Sequence, residues 1–321
     1  MLQIALLGGT GFVGSAVLRT AAGAARCLLR AGREIAPAPN RIVVRGALPE
    51  VPRDFFPKAP YVLLHFATKQ RDLDGTGFQR INVGGTRQVM QSLDDRCRGI
   101  IYGSSMSVYG PPSSSPAAEG APIRPATPLA HSRAEAEDVI LRFASERKIH
   151  AYILRPRFII GQGDRFIVPT MANSLARRLQ LGADTTRYSI IDVDDYAKVV
   201  AWLVQRIAST TVEQLAYNVA YTRPIALSDA TTILGRTLGL PPPLIRIGNP
   251  GVISSALSSV PTRLTQAWAE RLALMANSQC MDIGRLRTAM GTGIVTQQPE
   301  DVFYRAACAY AENPHGASTG P

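Results

Sequence analysis

The sequence predicts an α/β fold, in which a doubly wound parallel sheet is followed by a smaller, mostly helical second lobe. Three observations support this fold class. Apolar runs alternate with helical stretches through the first half of the chain, at intervals of about 25 to 35 residues. The first run, LQIALLG, is apolar but for Gln3, as in a parallel strand that is buried on both faces. The first run ends in a glycine-rich turn that opens a helix.

The first half contains six predicted strands. Each is a short apolar run bounded by turn residues: Leu2–Gly8, Ala25–Arg30, Arg41–Gly46, Ala59–Ala67, Arg98–Ser105 and Ile149–Pro156. Pro60 lies at the start of the fourth strand, where a missing N–H group is tolerated. Between the strands we expect a helix of about three turns from Phe12, a second from Thr76 to Leu93, and a third that follows Pro128 and ends near Arg147.

The alternation becomes irregular after the sixth strand. Helices are predicted there at 166–181, 194–207, 227–238, 250–275 and 299–312, with short strands near 187–191 and 243–247. We therefore expect a first domain of residues 1–156, to which 190–222 return, and a second lobe of residues 157–189 and 223–313. The tail, 314–321, is predicted to be disordered.

The composition is that of an ordinary folded protein. The chain has 321 residues, 46% of them hydrophobic and 18% charged, which indicates one large or two modest domains. No run of about 18 apolar residues is present, so no membrane span is expected. The N-terminal residues lack a basic region and a cleavage site, so they predict a first strand rather than a signal peptide. A cytoplasmic location is therefore expected.

Charge and cysteine usage exclude further classes. The net charge is +11, but the 35 basic residues are scattered and almost all are arginine. We therefore expect no nucleic-acid partner, and the diffuse charge favours phosphate-bearing small ligands only weakly. Cys27, Cys97, Cys280 and Cys308 are far apart and form no CxxC pair. Neither a disulfide framework nor a metal site is predicted.

The turn after the first strand has the sequence GGTGFVG, in which Gly8, Gly11 and Gly14 have the spacing GxxGxxG. The first glycine permits a tight turn, the second allows a pyrophosphate to approach the backbone, and the third allows close packing of helix on strand. The N-terminus of the following helix supplies N–H groups and a partial positive charge. The turn therefore predicts a dinucleotide-binding site.

The end of the second strand bears on the choice of dinucleotide. A site for NAD places Asp or Glu on the ribose about 20 residues after the turn. Here Arg30 lies at the strand tip and Arg33 just beyond it. Because arginine forms a bidentate fork for phosphate oxygens, these residues favour NADP. In the alternative interpretation Glu34 binds the ribose and the cofactor is NAD.

A series of further motifs follows in order along about residues 2 to 313. They are RGAL (45–48), LLHFAT (63–68), NVGGT (82–86), SSMSVYG (104–110), LRPRFIIGQGD (154–164), IDVDDYAKVV (191–200), YNVA (217–220) and the ending from Met281 to Phe303. Together with the glycine turn, their order and spacing resemble the extended short-chain dehydrogenases/reductases. This group contains the NAD-dependent epimerases and dehydratases. The resemblance implies a Rossmann fold with a dinucleotide-binding first domain and a substrate-binding second lobe.

The resemblance also implies roles for individual positions. Ser105 takes the position of the catalytic hydroxyl, four residues before Tyr109. For the cofactor, the resemblance implies that Gly8, Gly11 and Gly14 hold the pyrophosphate and that Thr10, Phe12 and Val13 contribute backbone contacts. It also implies that Leu48 flanks the adenine, Ala67 lines the cofactor channel and Pro156 lies by the carboxamide.

Two departures from the family pattern stand out. Ala47 replaces the acid of a Gly-Asp-Leu stretch, which removes a contact to the adenine amino group. More importantly, the family's Pro-Tyr-x-x-Ser-Lys reads Pro-Leu-Ala-His-Ser-Arg here, so Leu129 and Arg133 replace the tyrosine and lysine. Residues four apart lie on one helix face. Arg133 retains the charge that holds the ribose, but Leu129 exchanges no proton. Because general acid–base catalysis contributes about 100- to 10,000-fold to a reaction rate, carbonyl reduction by the family's route should be slowed by about that factor.

Three residues are candidates for the missing acid or base. Lys69 follows the fourth strand at the sheet edge where ligands bind. His131 lies two positions after Leu129 and is turned by about 200° from it on an ideal helix. Tyr109 flanks the Ser105 strand end. Each also has a structural interpretation, as a solvated lysine, a solvated histidine and a packed tyrosine.

Two functions remain open. The first is an enzyme of the epimerase, dehydratase or reductase type that acts on a small metabolite through Ser105 and Arg133. Its reaction could be an elimination, cyclisation or epimerisation that needs no tyrosine acid. The second is a non-catalytic NADP-binding module, such as a sensor, assembly factor or scaffold. The apolar stretch Pro250–Ser278 suits a hydrophobic or carrier-tethered substrate, or alternatively packing against the core or the second subunit of a homodimer.

Overall fold

The structure, a computed structural model, describes residues 2–21, 23–72, 76–111, 115–248, 275–291 and 293–313. The chain divides into two compact units. The first comprises the described residues of Met1–Pro111, Glu119–Pro156 and Asp194–Val219, and the second those of Pro112–Ala118, Arg157–Val193 and Ala220–Pro321. None of the helices in these described ranges is long and apolar enough to cross a membrane.

The first unit is built on a parallel sheet of seven strands. The strands are β1 (Gln3–Leu7), β2 (Ala25–Leu29), β3 (Arg41–Arg45), β4 (Tyr61–His65), β5 (Cys97–Gly103), β6 (His150–Pro156) and β11 (Gln214–Val219). Their order across the sheet is β11-β6-β5-β4-β1-β2-β3. The predicted doubly wound parallel sheet is confirmed. The chain moves outward from β1 to β3 and then returns to the other side of β1, so the topological switch point lies between β1 and β4.

Among the residues that the structure describes, this unit has four helices, α1 (Phe12–Thr20), α2 (Gly85–Ser92), α3 (Pro128–Arg147) and α5 (Val193–Ser209). The sheet and the helices bury a continuous apolar core, in which Leu63 and Ile100 of the strands lie with Val89 of α2 and Ile140 of α3. The prediction of one helix from Thr76 to Leu93 is wrong in part. Phe78–Gly84 forms a π-helical segment before α2 begins, a geometry that apolar periodicity does not reveal.

The second unit combines helices with short strand pairs. Its strands are β7 (Phe158–Ile160), β8 (Leu179–Leu181), β9 (Arg187–Tyr188), β10 (Ile190–Asp192), β12 (Ile225–Ala226) and β13 (Ile245–Ile247). Its helices are α4 (Ile167–Ala176), α6 (Leu227–Leu238), α7 (Gly284–Met290) and α8 (Pro299–Glu312). Within the described part of this unit, β10 pairs with β7, β12 with β9 and β13 with β8.

Helices predicted at 227–238 and 299–312 are confirmed. The helix predicted at 166–181 is too long. It ends at Ala176 because Arg178 adopts a left-handed backbone with φ of 55°, and the following three residues pair with β13 instead. The predictions for 250–275 and 314–321 fall, but for Met275, outside the described residues.

Candidate functional site

The glycine turn connects β1 to α1 at the switch point of the sheet. Gly8 has φ of 91°, in the region that favours glycine, and a Cβ at Gly14 would lie 2.1 Å from the carbonyl oxygen of Gly8. The Gly11 N–H donates to that oxygen at 2.9 Å. Backbone rather than side chain surrounds both positions, so larger residues at Gly8 or Gly14 would displace the turn.

The N-terminus of α1 has the features of an anion-binding helix end. Gly11 caps the helix in an extended conformation, without a side-chain cap bond, and the first turn contains no acidic residue. Thr10 and Gly11 are exposed, while Phe12 and Val13 are half-buried. The first N–H groups of the helix therefore face the turn with their partial positive charge uncompensated by side chains.

The predicted residues around the turn lie on neighbouring strand ends. Ala67 follows β4, whose chain is tied to β1 by the Phe66 N–H donating to the Leu7 carbonyl at 2.9 Å. Pro156 ends β6 and is buried. Leu48 lies beyond β3, where a Cβ on Gly85 of α2 would meet its side chain at 3.2 Å. The carboxyl ends of the strands thus bring these positions to one edge of the sheet.

Helix α3 presents Leu129 and Arg133 in a fixed register. The Thr127 side chain accepts a bond from the Ala130 N–H at 3.2 Å, and Pro128 occupies the first turn. These are the residues expected at a helix start. Deeper in the helix, the Ser132 hydroxyl donates to the Leu129 carbonyl at 2.9 Å.

Asn82 of the π-helical segment holds α3 and the loop after β4 together. Its amide nitrogen donates to the Ser132 hydroxyl at 3.0 Å and to the Lys69 carbonyl at 3.2 Å, and its amide oxygen accepts from the Lys69 N–H at 2.7 Å. In the sequence, Asn82 stands in the NVGGT motif and carries no predicted role of its own. A buried asparagine that bonds two separate segments is a positioning residue of this edge.

Arg133 lies in a largely buried setting beside the loop after β4. Its Nη2 donates to Gln70 Oε1 at 2.9 Å, while its buried Nε has no hydrogen-bond partner among the described residues. Burial lowers the pKa of the guanidinium, and the side chains of Tyr102, Glu137 and Tyr196 act in the opposite direction. Arginine stays charged in proteins, so Arg133 places a cation with unused donor capacity at this edge.

The two serines after β5 have different partners. The Ser104 hydroxyl donates to Glu137 Oε1, whereas the Ser105 hydroxyl accepts a bond from the Ser107 N–H at 3.2 Å. Ser105 is buried and caps the short 3-10 segment Met106–Tyr109. Its hydroxyl proton is not required by that bond, because the hydroxyl oxygen acts there as the acceptor.

Tyr109 is held in a buried polar network. Its hydroxyl accepts from Arg155 Nη1 at 2.9 Å and donates to Asn218 Oδ1 at 2.8 Å. Arg155 in turn forms an ion pair with Glu137, whose side chain is only 4% exposed. Burial raises the pKa of Tyr109, and the charge of Arg155 opposes that shift. These contacts fit a role in packing at least as well as proton transfer.

Lys69 and His131 occupy positions away from this network. Lys69 Nζ pairs with Asp72 Oδ1 at 2.8 Å, and the other oxygen of Asp72 accepts from the Gly77 N–H at 2.6 Å. His131 is exposed on α3, unlike the half-buried Leu129. No group of three His, Cys, Asp or Glu side chains converges as metal ligands would, within the part of the chain that the structure describes.

His65 at the end of β4 is a buried polar group that is absent from the predicted site residues. Its Nε2 lies 3.0 Å from the Thr86 hydroxyl, which donates its own proton to the Asn82 carbonyl at 2.5 Å. The imidazole must therefore donate from Nε2, and its buried Nδ1 has no partner among the described residues. Burial lowers the pKa of His65 to about 4. Histidine inside an apolar strand is the signal that could have revealed it.

The fold and this edge define a Rossmann-type protein of the extended short-chain dehydrogenase/reductase group. The family model described as NAD dependent epimerase/dehydratase family matches residues 4–220, and the chain belongs to that family. The resemblance read from the motifs is thereby confirmed.

Solved structures of similar fold cover nearly the whole chain. UDP-galactose 4-epimerase is 18% identical, with 97% of this chain and 99% of that chain covered and a TM-score of 0.73. MoeE5, in complex with UDP-glucose and NAD, is 17% identical, with 98% and 100% covered and a TM-score of 0.74. RMD from Pseudomonas aeruginosa, complexed with NADPH, is 19% identical, with 98% and 100% covered and a TM-score of 0.70. Likeness at these identities shows the fold alone.

One curated relative also matches. Uncharacterized protein y4nG of Sinorhizobium fredii (strain NBRC 101917 / NGR234) is 28% identical over 186 residues, which is 56% of this chain. The match spans 43% of the relative's length, so the chain corresponds to less than half of that protein.

Proposed function

We propose that the chain binds a nicotinamide dinucleotide at the glycine turn, with NADP preferred over NAD, and acts with it on a small metabolite. The turn carries this proposal. A Cβ at Gly14 would lie 2.1 Å from the Gly8 oxygen, so only glycine there lets α1 pack this closely on the turn, which is the role of the third glycine in a dinucleotide-binding turn. The α1 N-terminus adds N–H groups that no acidic side chain of its first turn opposes.

The residues at this edge fit the parts of such a cofactor. The α1 N-terminus suits the pyrophosphate, Arg30 and Arg33 suit a 2′-phosphate, and Leu48 suits the adenine face. Arg133 suits the ribose hydroxyls, because its Nε has no partner among the described residues and ribose oxygens accept hydrogen bonds. When bound, the nicotinamide supplies a donor or acceptor of hydride.

The reaction we propose depends on Ser105 and Arg133 rather than on a tyrosine acid. Leu129 holds no proton, the Tyr109 hydroxyl already donates to Asn218, and Lys69 is paired with Asp72. The Ser105 hydroxyl is able to donate to a substrate oxygen, and the fixed charge of Arg133 would stabilise negative charge that develops on it. This set favours an epimerisation, an elimination or another step without a strong general acid over ordinary carbonyl reduction.

A second candidate is a non-catalytic NADP-binding module. Tyr109 and Lys69 are both engaged in structural contacts, so neither is free to replace the tyrosine acid that is missing at Leu129. This favours the binding module. In this case the cofactor would act as a ligand that reports nucleotide level or stabilises a complex.

Titration with NADPH and NADH, followed by a hydride-exchange assay, tests these functions. NADPH carrying deuterium at its transferable position is incubated with a panel of carbonyl compounds, and NADP⁺ is incubated with panels of alcohols and nucleotide sugars. Transfer of the label to a carbonyl compound, reduction of NADP⁺, or an isomerised or dehydrated product that requires Ser105 in a Ser105→Ala comparison, supports the enzyme. Tight binding with no chemistry on any panel supports the binding module. If neither NADPH nor NADH binds to the chain, the proposed dinucleotide site is wrong and both functions are refuted.

A further inference from the structure

Three arginines of the first unit meet at the carboxyl ends of β2 and β3. Arg30 directly follows β2, and the Arg33 N–H donates to the Arg30 carbonyl at 3.2 Å to close a turn. Arg45 is the last residue of β3 and is paired in register with Leu29 of β2. Because β2 is the neighbour of β1 in the same parallel sheet, this turn lies on the same edge as the glycine turn.

Arg45 fastens the turn that carries the other two arginines. Its Nη1 donates to the Arg33 carbonyl at 2.6 Å and to the Arg30 carbonyl at 3.4 Å. The Gly46 N–H donates to the Leu29 carbonyl at 3.0 Å and secures the same point from the backbone. Since both side-chain bonds use Nη1, they occupy only one of the three guanidinium nitrogens of Arg45.

The charges of this cluster are not balanced by ion pairs within the described part of the chain. The ten salt bridges there include none from Arg30, Arg33 or Arg45. Three cations around one turn repel each other, so this arrangement is favourable when it binds an anion. A phosphate group on the ribose next to the glycine turn is the anion that the location suits.

We propose that Arg45 is a positioning residue that gives the site its preference for a dinucleotide with a 2′-phosphate. It does so by fixing the backbone between Arg30 and Arg33, so that their side chains are held at the edge of the sheet before the ligand arrives. This inference rests on the proposed dinucleotide site. It differs from the assignment of Arg30 and Arg33 in that Arg45 acts through two backbone carbonyls.

The matched control lies on the same strand. Arg41 is four residues before Arg45 and also donates to backbone carbonyls, those of Ala36 at 2.8 Å and Leu18 at 2.9 Å. It begins β3, at the opposite end from the glycine turn. Arg41→Met therefore removes the same kind of interaction from the same element without touching the turn.

The test uses the full chain and measures dissociation constants for NADPH, NADH, adenosine 2′,5′-bisphosphate and 5′-AMP. We expect Arg45→Met to weaken NADPH and the bisphosphate about tenfold, while NADH and 5′-AMP change less than about twofold. Arg45→Lys should restore most of the preference, because an ammonium group also donates to carbonyls. Arg41→Met should leave the NADPH/NADH ratio unchanged.

The outcomes separate this inference from the function it rests on. If Arg45→Met weakens NADPH and NADH equally, or if Arg41→Met reduces the preference as much, Arg45 only supports the fold and the inference is wrong. If the parent chain binds NADH as tightly as NADPH, the 2′-phosphate preference itself is wrong, although the dinucleotide site stands. If the parent binds neither nucleotide, the proposed function fails and the inference fails with it.

Discussion

The buried ion pair between Glu137 and Arg155 should be among the most sensitive points of the first unit. Arg155 Nη2 lies 2.5 Å from Glu137 Oε2, and Nε lies 3.1 Å from Oε1. The two side chains are 6% and 4% exposed. Glu137→Gln keeps the shape but removes the charge, and it turns an N–H donor toward the guanidinium. Arg155 would then be a buried cation with no counter-charge in this pair.

The expected cost follows from these contacts. Hydrogen bonds to charged groups contribute about 1.5–3 kcal/mol each, and breaking a buried pair by removing one partner costs about 3–5 kcal/mol. We therefore expect the free energy of unfolding to fall by about 3–5 kcal/mol in Glu137→Gln, a large part of a usual total of about 5–15 kcal/mol. Replacing both partners, in Glu137→Gln with Arg155→Met, should cost less, because no unpaired charge remains.

The neighbouring carboxylate provides the control. Asp138 forms an exposed pair with Arg142, with Nε to Oδ1 at 2.8 Å and side chains 75% and 54% exposed for Arg142 and Asp138. Asp138→Asn should cost at most about 0.5 kcal/mol, since such pairs are screened by water. Urea denaturation gives both values from the midpoint and slope. Equal losses in Glu137→Gln and Asp138→Asn would refute the argument that burial makes the first pair critical.

Three further predictions follow from the site. Gly14→Ala should abolish NADPH binding, measured by titration, and lower the free energy of unfolding, measured by urea denaturation, by about 1–3 kcal/mol. Gly120→Ala is the control, because a Cβ there would meet nothing within 4 Å, and it should change neither NADPH binding nor stability. Because burial lowers the pKa of His65 to about 4 against about 6.5 in the unfolded chain, the unfolded chain binds more protons between these values. The free energy of unfolding should therefore fall by up to about 3 kcal/mol as the pH drops from about 6.5 to about 4. Urea midpoints measured across this range should depend less on pH in His65→Asn than in the parent chain or in the control His131→Asn. Leu129→Tyr with Arg133→Lys should raise hydride transfer from NADPH to a carbonyl panel by about 100-fold or more; equal activity in Leu129→Phe with Arg133→Lys would contradict that role of the hydroxyl.

The fold could be read from the sequence because its signals are local. Each central strand is a short apolar run, and burial on both faces of the sheet makes such runs continuous. The π-helical segment Phe78–Gly84 could not be predicted, because it depends on the packing of Asn82 against Lys69 and Ser132. The early end of α4 is not predictable from periodicity, because the left-handed Arg178 leads directly into β8, which pairs with the distant strand β13.

The candidate site divides in the same way. The glycine spacing, and the Leu129 and Arg133 from which a replaced catalytic pair is predicted, are visible in the sequence alone. The two hydrogen bonds of Arg45 to backbone carbonyls are not visible in the sequence. An arginine at a strand end has no distinctive pattern, and its two acceptors lie 12 and 15 residues away. The partners of Tyr109 were equally hidden, because Asn218 is 109 residues distant. Side-chain networks between remote segments form only in the folded chain and leave no local pattern in the sequence.

Arg133 links the two open questions of cofactor binding and chemistry. A buried donor left without a partner costs about 1–3 kcal/mol, and the Nε of Arg133 is such a donor among the described residues. A ligand that accepts from it recovers this cost on binding, so Arg133 is arranged to bind an acceptor. The family's lysine would also tune a tyrosine, but here the position four residues earlier is Leu129, which has no group to tune. Under the proposed function, the charge at position 133 serves ligand binding alone, and dinucleotide affinity and proton transfer would be separate properties in this chain.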